Sequence, residues 1–369
     1  MKKVLEVFGE PIATGGQETF VFNNLQSMDS DKFKFDFLTP YSCDNDGRRE
    51  DIKHLGGALY ELNCPFLPGK SRELIREPVK CFFEKNKYDV VHIHSGSTSV
   101  LAIVSEIAKE AGTPKVIVHS HCALEKITLF NRLNRRLCGM HMKKSVDVYC
   151  ACSEEAALAK FCPEILSKVQ IIRNGIDLNK YKRNNATRRA LRERLNAKDT
   201  DLVIGHVGRM TFQKNQEYAL SVFSAVHSVR PDSQLWLIGD GPEFETIKNE
   251  VSELGLEDSV KLLGLIRDTS CYYQAFDAFI FPSRFEGLPI ALVEAEAAGL
   301  PCAISDHVSQ ESNIVGDFAR YIPLENKKAW VDFFVHETNR FNEKATEQLT
   351  KAGFSVRDSA RVLEQIYLS

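Results

Sequence analysis

The sequence predicts an α/β protein made of two doubly wound domains of similar size that face each other. Short apolar runs alternate with amphipathic, helix-like stretches along nearly the whole chain. The apolar runs are continuous rather than alternating, which is typical of strands buried on both faces of a parallel sheet. The pattern repeats in the second half of the 369 residues, a length that exceeds what one hydrophobic core usually organises.

Each half of the chain contains its own series of predicted strands. They lie at 4–8, 35–38, 90–94, 115–119, 147–151 and 169–172 in the first half, with helices at 71–85 and 99–111. In the second half they lie at 202–207, 234–238, 259–263, 277–281 and 302–304, with helices near 215–229 and 242–253. Residues 1–178 and 202–354 are the two predicted domains. The polar, basic stretch 179–201 is the predicted linker, with one helix at 186–196, and 355–369 is a predicted amphipathic helix.

Composition excludes several classes of protein. The hydrophobic fraction of 43% and the charged fraction of 26% are ordinary for a globular chain, and a net charge of −3 gives no general attraction to nucleic acid. No apolar run reaches the length of a membrane span, and the first residues lack the features of a signal peptide. The ten cysteines show no zinc or CxxC spacing, so we expect buried thiols in a cytoplasmic protein.

Ligands of doubly wound sheets bind beyond the carboxyl ends of the strands, so the segments after the strands are the candidate site. After the first strand, Gly15 and Gly16 open a helix. Paired glycines there allow close approach of a ligand and leave N–H groups for an anion, although a purely structural turn fits equally well. The spacing is not the GxGxxG dinucleotide fingerprint.

Two cations follow the first strand of the second half. Arg209 stands at the strand exit and Lys214 opens the next helix, where a lysine is normally disfavoured by the helix dipole. A diphosphate bound between the two cations would explain this placement, whereas two solvated surface residues are the simpler alternative. The nearby turn Gly239-Asp240-Gly241 lacks a third glycine and is predicted to be a tight structural turn near the site.

The segment 280–301 is the most informative. A strand ends at Phe281, a loop carries Glu286 and Gly287, and Leu288, Pro289 and Ile290 lead into an alanine-rich helix that stops before Gly299 and Pro301. The helix N-terminus suits a phosphate. Glu294 lies one and a half turns into this helix, about 8–9 Å along its axis at 1.5 Å per residue. An elongated ligand with its phosphate at the helix N-terminus would therefore reach Glu294 with its ribose. A plain helix-surface carboxylate is the alternative for Glu294.

Together these motifs resemble the retaining family 4 glycosyltransferases, which have the GT-B fold of two Rossmann-like domains across a cleft. The resemblance spans essentially the whole chain. It is carried by Arg209 with Lys214, by the Glu-x7-Glu pair of Glu286 and Glu294, and by Phe-Pro-Ser ahead of Glu-Gly-Leu-Pro. It also includes 15–19, which is similar to the first glycine loop of that family, 91–94, and the Asn-Gly-Ile-Asp segment at 174–177.

The resemblance implies a nucleoside-diphosphate sugar donor, with UDP favoured, and transfer of the sugar with retention. Arg209 and Lys214 would hold the diphosphate, Glu294 the ribose, and Glu286 with the backbone of Gly287, Leu288, Pro289 and Ile290 the sugar; Gly15 and Gly16 would also line the donor site, and the loop 264–267 would lie by the base. The N-terminal domain would take the acceptor and be joined by the helix 355–369. No cofactor and no metal are expected, since the fixed cations would stabilise the leaving diphosphate.

Histidines are weighed separately. His92 with His94, and His119 with His121, are pairs at strand ends, each projecting to one side. Four imidazoles suggest a metal site, but no carboxylate or cysteine stands near them at ligand spacing, so a metal is disfavoured. The resemblance implies a histidine near the transferred sugar. His121 is preferred over His119 as this catalytic residue, and a packed core histidine remains the alternative.

The segment 124–145 mixes basic and apolar residues at helical spacing. Such a helix can lie on an anionic membrane, which would bring a lipid-linked acceptor to the enzyme. A core-packing helix with a solvated basic face is the alternative. The expected partners are therefore a nucleotide-sugar donor and a glycan or lipid-linked acceptor of cell-surface polysaccharide assembly, with peripheral contact to the inner face of the membrane.

Two other functions remain open at this stage. A non-hydrolysing nucleotide-sugar epimerase would share the architecture and would act on the donor alone. A non-catalytic nucleotide-sugar-binding subunit is disfavoured because Arg209, Lys214, Glu286 and Glu294 are all present together.

Overall fold

The computed structural model describes residues 1–13, 15–67, 72–121, 128–286, 288–338 and 340–369. It divides the chain into two compact units. The first unit comprises Met1–Gly175 and Val356–Ser369, and the second comprises Ile176–Ser355.

The first unit is a parallel sheet covered by helices. Its strands are β1 (Lys2–Phe8), β2 (Phe33–Thr39), β3 (Leu59–Glu61), β4 (Val90–Ser95), β5 (Lys115–Ser120), β6 (Val148–Ala151) and β7 (Val169–Ile171). The helices are α1 (Gly16–Ser27), α2 (Asp46–His54), α3 (Arg76–Lys85) after a short 3-10 turn, α4 (Thr98–Glu110), α5 (Leu129–Ser145), α6 (Glu154–Lys160) and α7 (Pro163–Leu166). In the described residues the strand order is β3-β2-β1-β4-β5-β6-β7.

The second unit repeats this plan. Its strands are β8 (Leu202–Val207), β9 (Ser233–Ile238), β10 (Val260–Leu262), β11 (Ala278–Phe281), β12 (Cys302–Ser305) and β13 (Ala319–Ile322). Its helices are α8 (Leu178–Tyr181), α9 (Asn185–Arg194), α10 (Gln216–Val229), α11 (Phe244–Glu253), α12 (Ser270–Ala275), α13 (Ile290–Ala297), α14 (Lys327–His336) and α15 (Ala345–Lys351). The strand order is β10-β9-β8-β11-β12-β13.

The final helix, α16 (Val356–Leu368), belongs to the first unit. Its apolar side packs against the core below the first sheet, where Ala360, Leu363 and Ile366 are buried. The amphipathic pattern of 355–369 thus marks a helix that covers part of one face of the sheet, beside α1.

All described strand pairs are parallel, as their continuous apolar runs predict. The strand order reverses between β1 and β4 in the first sheet and between β8 and β11 in the second. Loops that leave neighbouring strands at such a point diverge and open a crevice, which is where ligands of doubly wound sheets bind. The candidate residues after β8 and β11 flank this point in the second unit.

Two short edge strands, β3 and β13, were not among the predicted strands, because three or four residues give too little periodic signal. The predicted linker 179–201 also differs from the structure, since its residues lie within the second unit. Arg188 and Arg192 of α9 are buried and both form ion pairs with Asp277, which packs α9 firmly against the unit. No described helix is long and apolar enough to cross a membrane.

Candidate active site

The loop after β8 is shaped to carry Lys214. Gly208 leaves room for the lysine side chain, because a Cβ at this position would lie 3.3 Å from Cδ and Cε of Lys214. Asn215 adopts a left-handed backbone with φ 58°, a conformation that asparagine tolerates better than most residues. The chain therefore turns sharply into α10, and Lys214 lies before the helix rather than within it.

The loop after β11 is tied to the loop after β8 by several hydrogen bonds. The N–H of Arg284 donates to the carbonyl of Gln213 at 2.8 Å, and Gln213 returns a side-chain bond to the carbonyl of Phe285 at 3.0 Å. The guanidinium of Arg284 donates to Oδ1 of Asn215 and lies over the ring of Phe212. These contacts hold the two loops together across the point where the strand order reverses.

This clamp brings Lys214 and Glu286 into an ion pair. Nζ of Lys214 lies 2.7 Å from Oε1 of Glu286, and the two side chains are 18% and 12% exposed. Nζ also lies 4.8 Å from the ring centre of Phe281, which covers its other side. Arg209, in contrast, is exposed on the same loop, where it directly follows Gly208. The second unit thus presents a shielded cation, Lys214, paired with a carboxylate, and an exposed cation, Arg209, on the same loop.

Helix α13 begins immediately after this loop. Pro289 is its N-cap with an extended backbone, and Ile290 is its first residue. Leu288 is buried and Ile290 is partly buried. Gly287 lies outside the described residues. The first N–H groups of α13 have no side-chain cap, so they are available to an anion.

Glu294 lies further along α13 and is held by tyrosines. The hydroxyl of Tyr181, the last residue of α8, donates to Oε1 of Glu294 at 2.7 Å. Burial raises the pKa of Glu294 to about 7, while hydrogen bonds from Tyr181 and Tyr273 oppose this rise. The carboxyl group is therefore fixed in position, which favours a binding role over that of a solvated surface residue.

The turn between β9 and α11 packs directly against the Arg209 loop. A Cβ on Gly239 (φ 137°) would lie 2.0 Å from the carbonyl oxygen of Gly208, and a Cβ on Gly241 would lie 2.3 Å from that of Met210. The N–H of Gly239 donates to the carbonyl of Gly264 at 2.9 Å, which joins the loop after β10 to the same group. The two glycines therefore serve a close backbone approach between loops, which fits the tight structural turn that the sequence predicted.

The glycine loop of the first unit already holds a carboxylate. Glu18 of α1 accepts a hydrogen bond from the N–H of Ala13, and a Cβ on Gly15 would lie 2.6 Å from its Oε2. Burial raises the pKa of Glu18. Gly15 thus leaves space for Glu18, so an anion at this loop, as the sequence predicted, would compete with this side chain.

The four histidines come together at the carboxyl end of the first sheet, and Glu6 of β1 joins them. Nε2 of His94 lies 2.8 Å from Oε2 of Glu6, and Nδ1 of His94 lies 2.9 Å from Nε2 of His121. Tyr367 of α16 donates to Oε1 of Glu6 at 2.9 Å. His121 lies just beyond β5, and it is partly exposed, whereas His92, His94 and His119 are buried.

The sequence analysis missed Glu6 and Tyr367 as members of this cluster. The presence of a glutamate within the apolar run 4–8 could have pointed to Glu6, whereas nothing in the sequence marks Tyr367. His92, His94 and His119 each contribute one ring nitrogen to a group of three that lie within 4.8 Å of one another. Six of the eight ring nitrogens of the four histidines are already paired with each other, with Glu6 or with Tyr367, which describes a hydrogen-bonded cluster better than a metal centre.

Two family models match the chain. The model for glycosyltransferase family 4 matches residues 14–180, and the model for glycosyl transferases group 1 matches residues 187–333. The Bacillus subtilis (strain 168) protein EpsF, which is named as a glycosyltransferase, is 30% identical over 99% of this chain and 96% of its own length. The chain therefore belongs to the family 4 glycosyltransferases, and it is a glycosyltransferase enzyme.

Other similar proteins agree with this assignment. The UDP-Gal:α-D-GlcNAc-diphosphoundecaprenol α-1,3-galactosyltransferase of Escherichia coli is 29% identical over 82% of this chain and 74% of its own length. The crystal structure of Anabaena HepE in complex with UDP and glucose matches with a TM-score of 0.77 and 19% identity, covering both chains completely. This structural likeness shows that both units have the Rossmann-like architecture of the GT-B fold.

Proposed function

We propose that this enzyme transfers a sugar from a UDP-linked donor, with retention, to a lipid-linked or growing glycan acceptor in cell-surface polysaccharide assembly. The observation that carries the proposal is the group formed by Lys214, Glu286 and the uncapped N-terminus of α13. A relative that uses a UDP-sugar and a diphosphoundecaprenol acceptor, and a similar fold crystallised with UDP, support it.

In this proposal each group of the second unit has its own ligand. Lys214 and Arg209 hold the diphosphate, and Glu294 binds the ribose hydroxyls. Glu286, with the backbone of Gly287, Leu288, Pro289 and Ile290, binds the transferred sugar. Negative charge develops on the departing diphosphate during transfer, and preorganised cations and N–H dipoles stabilise it without the cost of reorganisation. We also propose that the transferred sugar is a hexose and that it keeps the anomeric configuration that it has in the donor.

The first unit takes the acceptor. His121 forms a hydrogen bond with a substrate hydroxyl, and the loop of Gly15 and Gly16 lines the ligand site beside Glu18. The neutral imidazole suits this role, because burial lowers the pKa of His121 to about 3 and keeps it uncharged.

Helix α5 is the part of the first unit that we propose to contact an anionic membrane. Its exposed face carries four apolar side chains at helical spacing: Leu129, Leu133, Leu137 and Met140, which are 81%, 59%, 48% and 50% exposed. Arg132, Arg136, Lys143 and Lys144 are exposed beside them. Exposed leucines flanked by cations are typical of helices that lie in a membrane interface. Residues 124–127, which include Leu124, Lys126 and Ile127, and the side chain of Phe130 lie outside what the structure describes.

The experiment that tests the proposal uses the purified enzyme with UDP-, GDP- and ADP-sugars. A UDP-sugar should raise the thermal unfolding temperature selectively, since a ligand that binds the folded form stabilises it. With a lipid-linked acceptor, NMR of the product should show the anomeric configuration of the donor. A product of inverted configuration, or selective stabilisation by another nucleotide sugar, would contradict the proposal. Conversion of the donor to an epimer without acceptor would instead identify an epimerase.

A further inference from the structure

Six polar side chains meet at the carboxyl end of the first sheet: Glu6, His92, His94, His119, His121 and Tyr367. Burial lowers the pKa of all four histidines, so their rings are neutral at physiological pH. A neutral imidazole has one N–H and one lone pair. Each hydrogen bond in the cluster therefore fixes the direction of the next one.

The first chain of hydrogen bonds runs from Glu6 to His121. When Glu6 is a carboxylate, its Oε2 accepts from Nε2–H of His94. Nδ1 of His94 must then accept from Nε2–H of His121. Nδ1 of His121 is left with a lone pair, and this atom is buried without a hydrogen-bond partner.

The second chain runs from Glu6 to His119. Oε1 of Glu6 accepts from the hydroxyl of Tyr367, whose oxygen in turn accepts from Nδ1–H of His92 at 2.7 Å. Nε2 of His92 then accepts from Nδ1–H of His119 at 3.3 Å. Nε2 of His119 is left with a lone pair, and it too is buried without a partner.

A proton added to Glu6 reverses one of these chains. On Oε2 it would be donated to His94, His94 would donate to His121, and Nδ1 of His121 would become an N–H. On Oε1 it would reverse the chain through Tyr367 and His92, and Nε2 of His119 would become the N–H. One proton enters at Glu6, one N–H appears at the far end of a chain, and no imidazole becomes charged.

Few titratable groups of the described residues surround these two chains of hydrogen bonds. Among the described residues, the titratable groups that face Glu6 and its two chains are the histidines of β4 and β5, His121, Tyr367 of α16 and Cys150 of β6. Helix α1 covers the rings of His94, His119 and His121 with Phe20. Burial raises the pKa of Glu6 to about 8, so both of its protonation states are accessible near neutrality.

We propose that Glu6 is a positioning residue whose protonation state decides whether the free nitrogens of His121 and His119 accept or donate a hydrogen bond. The inference deepens the proposed function and rests on it for one point, that His121 contacts a substrate hydroxyl. An unpartnered buried nitrogen is where such a hydroxyl would be bound. The carboxylate form then offers the substrate an acceptor, and the protonated form offers it a donor.

The test is NMR of the full-length enzyme labelled with ¹⁵N-histidine, recorded from pH 6 to 9 without donor. In the wild type, the ring nitrogens of one chain should exchange protonated for unprotonated signals together, with one common midpoint. In Glu6→Gln this pH dependence should vanish, because an amide does not titrate. Tyr367→Phe cuts the second chain but leaves the Glu6–His94–His121 chain intact, and His121→Asn assigns the terminal signal.

Three results would overturn the proposal. The first is that the signals of the four clustered histidines in the wild type do not change with pH, which decides the matter even if Glu6→Gln fails to fold. The second is separate titration of the histidines to imidazolium near their ordinary pKa. The third is that Zn²⁺ alone shifts all of these signals and stabilises the protein, which would make the cluster a metal site. None of these measurements involves sugar transfer, so failure of the proposed function would be seen separately.

Discussion

Lys214 and Glu286 form a 2.7 Å ion pair that joins the loops after β8 and β11. The two residues are proposed to bind different parts of one ligand, the diphosphate and the sugar. In this proposal, donor binding separates the pair: Lys214 exchanges Glu286 for the phosphates, and Glu286 exchanges Lys214 for the sugar. The pair keeps both side chains in the right place before the donor arrives, and the cost of separating them is part of the binding free energy.

Replacement of Lys214 by Ala should lower kcat by about 100-fold or more, since one preorganised group that stabilises developing charge is commonly worth two to three orders of magnitude. Steady-state transfer assays measure this directly. Lys248→Ala is the matched control, because Lys248 is an exposed lysine of the same unit. Equal activity of the two variants would remove Lys214 from the reaction.

Tyr181→Phe should raise the KM for the donor about fivefold and leave kcat nearly unchanged. The change removes the hydroxyl that fixes Glu294, and one such hydrogen bond is worth about 1 kcal/mol. Calorimetric titration with UDP checks the effect on affinity without turnover. Glu294→Gln should weaken UDP binding further. If UDP binds Glu294→Gln as tightly as the wild type, Glu294 does not hold the ribose.

Gly239→Ala should destabilise the second unit by about 2–4 kcal/mol, because the new methyl group would collide with the carbonyl oxygen of Gly208. It should also weaken donor binding, since that carbonyl belongs to the loop of Arg209 and Lys214. Gly255→Ala is the comparison in urea unfolding. Gly255 lies in open space at φ 63°, a left-handed conformation that alanine can adopt, whereas Gly239 has φ 137°, so the difference between the two variants measures the collision together with the greater backbone strain at Gly239.

Reversing two charges of α5, Arg132→Glu with Arg136→Glu, should weaken binding to anionic vesicles more than tenfold. Each basic residue near such a surface contributes about 1 kcal/mol. Sedimentation with phosphatidylglycerol vesicles at low and high salt measures it. Arg135 is unsuitable for this test because it donates to the carbonyl of Leu158. Lys328→Glu with Lys344→Glu, two exposed lysines of the second unit, is the control; unchanged vesicle binding in the α5 variant would argue against membrane contact.

Stability of the protein should fall on both sides of neutrality. The folded-state pKa of each clustered histidine lies below its ordinary value of 6.5, so unfolding takes up protons and stability decreases as the pH falls below 6.5. The folded-state pKa of Glu6 is raised from 4.5 to about 8, so unfolding releases a proton and stability decreases as the pH rises towards 8. Urea unfolding from pH 5.5 to 8.5 checks both limbs. Glu6→Gln should flatten the alkaline limb and steepen the acid limb, because a carboxyl whose pKa rises from 4.5 to about 8 on folding loses stability with rising pH across that whole range.

Residue patterns predicted the parts of this protein that depend on local chemistry. Continuous apolar runs located the central strands, turn residues located Lys214 and Glu286 in the loops that follow strands, and the helical pattern located Glu294 in the next helix. What they did not predict depends on tertiary contact. Three sets of contacts join residues far apart in sequence: Arg284 bonds to Gln213 and Asn215, Tyr181 donates to Glu294, and Tyr367 donates to Glu6. The basic stretch 179–201 resembled a linker because the carboxylate that neutralises Arg188 and Arg192 lies 89 and 85 residues later, at Asp277.

The placement of α16 has a consequence for biosynthesis. Most of the first sheet leaves the ribosome early, but the helix that buries one of its faces and supplies Tyr367 is translated only after the entire second unit. The nascent first unit therefore exposes an apolar surface and an incompletely bonded Glu6 for the time that the second unit needs to emerge. Chaperone binding to ribosome-bound chains should be strongest in that interval and should end when the last helix docks.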